Sequence, residues 1–157
     1  MNLDDLDRRI LACLEIDGRA THAAIGRELG ITGPAVYARV KRMEDSGVIR
    51  GYRVNVDPVL VGRPLAAFIR ITTRPIKVET DTLEPYVWTE DRIEACHDIA
   101  AEDTYILKAR CASPEDLRDL LLRLRARPQV IRTTSSVVLA SVKEPGMPRP
   151  EPPLTVR

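Results

Sequence analysis

A dense set of side chains able to bind phosphate lies in residues 39–53. There Arg39, Lys41, Arg42, Arg50 and Arg53 stand against only Glu44 and Asp45. Residues 1–17 are the reverse, with Arg8 and Arg9 against Asp4, Asp5, Asp7, Glu15 and Asp17. Over all 157 residues, 24 Lys+Arg balance 23 Asp+Glu to a formal charge of +1, so the basic stripe is local. A basic stripe on a neutral chain suits a surface that faces phosphates. A solvated helix face has the same composition, so the surrounding elements decide between the two. Aromatic residues make up only 4%, which argues against a binder that stacks bases on aromatic platforms.

The other reactive side chains assemble into little. Cys13, Cys96 and Cys111 are an odd, widely spaced set that suits a reducing cytoplasm and gives neither a disulfide framework nor a zinc pattern. Cys13 falls on an apolar helix stripe and reads as core. Cys96 and His97 are neighbours in a predicted strand, so they point to opposite faces and form no catalytic or metal pair. Cys96 and Cys111 fall on adjacent predicted strands, where a redox pair is a weak alternative. His22 opens a helix and is expected to be exposed. There is no phosphate-binding glycine loop, nucleophile elbow or metal-ligand spacing. No enzyme, catalytic residue, metal site or cofactor is therefore expected.

The hydrophobic fraction of 44% and charged fraction of 30% are those of a soluble globular chain. Apolar runs such as 137–140 fall far short of the ~20 residues of a membrane helix. The acidic start lacks the basic-then-apolar order of a signal peptide. A cytoplasmic protein with no membrane partner is expected.

The elements that position the basic stripe are helical. Leu3, Leu6, Ile10, Leu11 and Leu14 recur at helical spacing behind an acidic first turn, and Gly18 ends that helix. Thr21 caps a second helix through Ala24, Ile25 and Leu29 that stops at Gly30. Thr32 caps a third, with Pro34 in its first turn and Val36, Val40 and Met43 inward, ending near Gly47. Gly26 sits where two tightly turned helices need a small residue. The pattern is a helix-turn-helix, whose second helix enters the major groove by its N-terminal residues. Those are Thr32, Gly33, Pro34, Ala35 and Tyr37, with Ala38 one turn on. They are short and mostly uncharged, so base readout should be modest, through hydrogen bonds from Thr32 and Tyr37 and a thymine methyl against Ala35. Arg39, Lys41 and Arg42 would hold phosphates. Beyond Gly47 the period changes to two, and Val48, Ile49, Tyr52, Val54 and Val56 read as two short strands or one bent ribbon. Arg50 and Arg53 on that ribbon would act as a wing. A plain three-helix packing module gives a similar pattern.

From Pro64 the order is strand, helix, strand, strand, helix, strand. Strands are predicted at 65–73, 92–99, 104–111 and 130–142. A helix over 78–89 is weakened by Pro85, and a clear one follows Ser113-Pro114-Glu115-Asp116 with Leu117, Leu120, Leu121 and Leu124. This is the order of a ferredoxin-like βαββαβ sandwich. The first and last strands read as apolar on both faces, so a second copy is expected to cover the free face in a two-fold dimer. Residues 143–157 carry five prolines and read as a disordered or extended tail.

Several motifs together are similar to the Lrp/AsnC, or feast/famine, family of transcriptional regulators. They are Leu6-Asp7-Arg8-Arg9-Ile10-Leu11, Asp17-Gly18-Arg19-Ala20, Gly30-Ile31-Thr32, residues 35–44 and residues 47–52. Asp57-Pro58 followed by Gly62 resembles the family's hinge, and the likeness continues through 101–107 to the last strand, 133–143. The resemblance implies an α+β protein with an N-terminal winged helix-turn-helix (1–56), a linker (57–63), a C-terminal ferredoxin-like domain of RAM type (64–142) and a tail (143–157). It further implies a homodimer, assembly to an octamer, and a small effector, usually an amino acid, bound between dimers. The implied effector residues are His97, Ala101, Glu102, Asp103, Thr104 and Tyr105 around the turn, with Thr134 and Ser136 from a neighbouring subunit. Family members usually have glycine where this chain has Ala101 and often an acid at Thr104. The alanine narrows the approach of backbone N–H groups to a ligand carboxylate, whereas Glu102 or Asp103 would meet an α-amino group. A solvated hairpin turn reads the same way. The expected function is a regulator that binds double-stranded DNA and answers to an amino-acid effector. The alternative is a ligand-binding oligomeric module that acts through a protein partner.

Overall fold

The computed structural model describes residues 2–74 and 83–144. The chain divides into two compact units, Met1–Asn55 and Val56–Glu144.

In the first unit, helix α1 (Asp5–Ile16) opens on a capping box, in which the Asp7 N–H donates to Asp4 Oδ1 at 2.8 Å and the Asp4 N–H to Asp7 Oδ2 at 3.2 Å. Helix α2 (His22–Leu29) is capped by Thr21 and ended by Gly30, whose φ of 72° is left-handed. Helix α3 (Gly33–Asp45) is capped by Thr32 and carries Pro34 in its first turn. Ile10, Ile25, Val36, Val40 and Met43 meet in the core, each burial stabilising by roughly 1.5–3 kcal/mol. A Cβ on Gly26 would stand 2.6 Å from the Ile31 carbonyl oxygen, so only glycine lets α2 approach the turn into α3 this closely.

The predicted ribbon is not formed. Residues 48–56 contain no strand, and among the described residues none pairs with them. A strand exists only against a partner's N–H and C=O groups, and this unit supplies none. The segment is held instead by the Ile49 N–H on the Met43 carbonyl at 3.1 Å and by the Tyr52 hydroxyl on Glu44 at 3.0 Å, leaving Val54 exposed.

The second unit follows the predicted order: β1 (Leu65–Thr73), α4 (Glu84–Thr89), β2 (Ile93–Asp98), β3 (Tyr105–Cys111), α5 (Pro114–Arg125) and β4 (Val130–Val137). The strands form one antiparallel sheet in the order β2-β3-β1-β4, the ferredoxin-like arrangement. Ala67, Ile69, Ile71, Leu83, Leu107 and Leu120 sit in the core between sheet and helices. Pro85 lies in the first turn of α4, where its missing N–H costs nothing, and not mid-helix. Residues 78–82 of the predicted helix, and 145–157 of the predicted tail, lie outside the described residues. Strand β4 is shorter than expected. Val138 still donates to the Ala66 carbonyl at 2.9 Å, but β1 begins at Leu65 behind Pro64, and the ladder runs out of partner. Glu144 stays with this unit, 2.9 Å from Arg110 and 3.1 Å from Lys108.

The free face of the sheet is mixed, not apolar. Phe68 and Ile106 share it with Lys108 and Arg110, which pair with Glu94 and Glu144. The apolar expectation came from β1 and β4, whereas the charges enter from the central strand β3.

Gly26→Ala should destabilise the first unit by about 1–3 kcal/mol, the cost of overpacking against fixed backbone. Urea denaturation checks this, and an unchanged midpoint would show that α2 and the turn have room to separate.

Candidate nucleic-acid interface and effector region

The solvent face of α3 is built from its cap outward. The Thr32 hydroxyl accepts from the Ala35 N–H at 3.3 Å, so its oxygen holds the helix start and only its proton is left for a ligand. Gly33 is half-buried, and a Cβ there would meet the Ala23 backbone at 3.3 Å, so it positions the helix and offers no surface. Pro34, Ala35, Tyr37 and Ala38 are exposed together at the N-terminal end. Tyr37 is braced by the His22 ring, with centroids 5.5 Å apart and planes tilted by 58°. His22 is accordingly half-buried, a partner that its place at the start of α2 did not reveal.

The basic residues separate into anchored and available groups. Nη1 of Arg39 lies 2.7 Å from Asp4 and 2.8 Å from Asp7, and Nη2 of Arg42 lies 2.7 Å from Asp7. Asp7 is fully buried, so it demands these partners. Arg39 also holds the Asp4 carboxyl below its ordinary value. The expected phosphate role of Arg39 thus meets a guanidinium already occupied by carboxylates. Arg42, at 53% side-chain exposure, still presents part of its fork to solvent. Lys41 pairs with Asp45 at 2.6 Å across one exposed turn, a weak, solvent-screened contact easily exchanged for a phosphate. Arg50 and Arg53 have no ion pair among the described residues, and with Arg19 they line an open groove of about 920 Å³ floored by Leu11 and Leu14.

The turn between β2 and β3 is closed upon itself. Ile99 donates to the Thr104 carbonyl at 2.9 Å, Ala101 to the Ile99 carbonyl at 3.0 Å, and Thr104 to the Ile71 carbonyl at 2.8 Å. Ala101 adopts no positive φ, so the chain accommodates alanine without strain, but its N–H is already used. Asp103 is turned inward, accepting from Thr72 Oγ1 at 2.9 Å with Arg132 at 3.4 Å and Arg70 at 3.7 Å. The Thr104 hydroxyl accepts from the Thr73 N–H at 3.1 Å. Glu102 is the exposed acid of this turn. Tyr105 points into the core, on the opposite face from His97. One cross-strand row on the free face runs His97, Ile106, Arg70 and Thr134, with Ser136 beside Phe68 in the next. His97 and Thr134 occupy the two sheet edges, roughly 14 Å apart at three interstrand spacings. One chain therefore does not bring the predicted effector residues together, and it adds Arg70 and Arg132, which were missed because basic residues on strands read as solvated. Cys96 lies opposite Leu107 and Cys111 opposite Leu65, roughly 13 Å apart along the strands, so they form no redox pair. Burial pushes the Cys111 thiol up to about 11.

Residues 3–44 match the AsnC-type helix-turn-helix domain, and residues 66–148 the Lrp/AsnC ligand binding domain. The chain belongs to the Lrp/AsnC family. Among its relatives is the HTH-type transcriptional regulator LrpA of Mycobacterium tuberculosis, 38% identical over 137 residues that cover 87% of this chain and 90% of that protein. Two solved Lrp/AsnC-like structures were determined with an amino acid. The transcriptional regulator NMB0573/L-Met complex from Neisseria meningitidis superposes with a TM-score of 0.88 at 27% identity, covering 94% of this chain and 97% of the other. The feast or famine regulatory protein of M. tuberculosis complexed with L-methionine gives 0.84 at 35%, covering 95% and 100%. No helix among the described residues is long and apolar enough to cross a membrane.

The ligand-binding domain of this Lrp/AsnC chain also carries a dense charge cluster away from the turn. Arg92 bonds Glu90 at 2.7 Å, Asp116 at 2.7 Å and Asp119 at 3.0 Å, tying the start of β2 to the first turns of α5. The Arg92 guanidinium lowers the Glu90 carboxyl from 4.5 to about 2, while burial pushes Tyr86, which donates to Glu90, up to about 12. A lowered carboxylate stabilises the fold above its ordinary value and loses that contribution as pH falls through the folded one. Glu90→Gln should therefore cost up to about 3 kcal/mol at pH 6, and the gap to wild type should close between pH 4.5 and 2. Urea denaturation at a series of pH values checks this, and a gap that stays constant to pH 2 would contradict it.

Proposed function

We propose that this Lrp/AsnC regulator binds double-stranded DNA through the N-terminal end of α3, as a dimer on half-sites about one helical turn apart, and that an amino acid biases its assembly. The observation that carries the reading is the exposed set Pro34, Ala35, Tyr37 and Ala38 on a helix whose start is fixed by the Thr32 cap and the close packing of Gly26 and Gly33. These side chains reach base edges weakly, so affinity comes from phosphates and sequence preference from shape as well as contact. Lys41, Arg42, Arg50 and Arg53 supply phosphate contacts, and Arg39 acts as a positioning residue. We assign the helix-turn-helix domain to 1–56, the linker to 57–63 and the effector and oligomerisation domain to 64–142. The reading is of a cytoplasmic regulator and not of an enzyme.

Two features support a multi-subunit effector site. His97 and Thr134 are too far apart within one chain to hold one small ligand, and the 48–56 segment has apolar residues with no ladder partner in its own unit. A second copy, and assembly to an octamer, would complete both. The relatives solved with L-methionine make an α-amino acid the ligand class to test, with Glu102 for its ammonium and Arg70 or Arg132 for its carboxylate.

Lys41→Ala should flatten the slope of log affinity against log salt by about one, as one phosphate contact is lost. Arg39→Ala should instead lower protein stability, because the buried Asp7 carboxylate loses a charged hydrogen bond, and weaken DNA binding with little change of slope. An unchanged slope for Lys41→Ala would remove it from the interface. A screen of the twenty amino acids by thermal shift and light scattering tests the effector. A hit should raise the melting temperature by mass action and change the particle mass, whereas no response in a protein that still binds DNA would refute the amino-acid reading.

A further inference from the structure

Between α4 and the edge strand β2 lies a cavity of about 560 Å³, on the other side of the sheet from His97 and Thr134. This is a size common for small-molecule sites. Its apolar lining comes from Ile93, Ala95 and Cys96 of β2 and from Val87 and Trp88 of α4. Trp88, 89% exposed, is an indole kept in solvent beside that surface.

The polar groups at the cavity are of one sign. Glu90 and Glu94 are committed to Arg92, Lys108 and Arg110. Glu84, Asp91 and Asp98 also line the cavity, and none of these three carboxylates has an ion pair or hydrogen bond among the described residues. Tyr105 reaches the same cavity from β3. It is 3% exposed, and its hydroxyl has no hydrogen-bond partner among the described residues. The ring is buried but the hydroxyl is not among the buried atoms left without a partner, so its oxygen opens to the cavity, where a polar group of a ligand can reach it. Burial, and after it the charges of Glu84 and Asp98, push both the Tyr105 phenol and the Cys96 thiol up. The two carboxylates thus act on the cavity's interior.

We propose that this cavity binds an organic cation: a primary amine carrying a compact aromatic or branched apolar body and no carboxylate. The ammonium donates charge-assisted hydrogen bonds to Glu84 and Asp98, and the Tyr105 hydroxyl offers a further acceptor. The body packs on Val87 and Ile93, with the Trp88 ring open to the cation's face. A free amino acid is disfavoured, because its carboxylate would enter among carboxylates with no cation among the described lining residues to meet it. The site and its ligand class are separate from the effector turn.

Trp88 is the single tryptophan of the chain and reports on the cavity directly. Titrating the full chain with phenethylamine at neutral pH should give a saturable change in Trp88 emission. The double variant Glu84→Gln/Asp98→Asn should weaken that binding at least tenfold. Both positions are exposed, so the variant should keep its fold, which circular dichroism checks. 3-Phenylpropionate, which carries the same body on a carboxylate, should give no saturable change. The absence of a saturable response to phenethylamine, an equal response to 3-phenylpropionate, or undiminished binding in the folded double variant would each overturn the proposal. Particle mass reads the amino-acid effector and Trp88 emission reads this cavity, so failure of one reading is distinguishable from failure of the other.

Discussion

The buried carboxylate of Asp7 is the constraint on which the DNA-binding unit depends. A carboxylate removed from water must be hydrogen-bonded and paired or it destabilises the fold by several kcal/mol. Asp7 meets that demand with the backbone of its own capping box and with two guanidiniums of α3, at 2.8 and 2.7 Å. One group therefore starts α1 and fixes α3 against it. The apolar contacts among Ile10, Ile25, Val36 and Met43 would hold the helices together without this pair, but they are non-directional. The ion pairs give the recognition helix its rotation. They also divide the basic stripe: Arg39 is bound to carboxylates, and Lys41, with part of Arg42, stays available to phosphates.

That division was not legible in the sequence, and the reason is distance along the chain. Arg39 looks like its neighbours at 41 and 42, and its partners lie 32 and 35 residues away. What could be read were local effects. The caps at Thr21, Thr32 and Ser113 act within one helical turn, and Gly26 answers to a turn four residues on. The strand order and the core stripe of α5 were legible for the same reason, as short-period patterns. The ribbon at 48–56 was misread because alternation states a preference for a strand and says nothing of whether a partner exists. The free sheet face was misread because its charges enter from β3, with Glu144 arriving from beyond the last strand.

The second unit follows a different logic. Its core is closed by α5 and the short α4, and its polar residues are distributed to the edges and the free face. Ala101 sits in its turn without strain, because no positive φ is needed there, and the turn uses its N–H internally. The turn acid that looked ready for an amine, Asp103, is drawn inward by Thr72 and Arg132. On the proposed reading, a ligand at this turn would meet Glu102 and the partly satisfied Arg70 and Arg132, with a second subunit to enclose it.

The most direct test of the central claim is the salt dependence of DNA affinity for Asp7→Asn beside wild type. If Asp7 sets the rotation of α3, the variant should bind DNA more weakly, with a salt slope close to wild type. Tighter binding with a slope steeper by about one would contradict the account. It would show that Arg39 is a phosphate contact that the carboxylate merely masks.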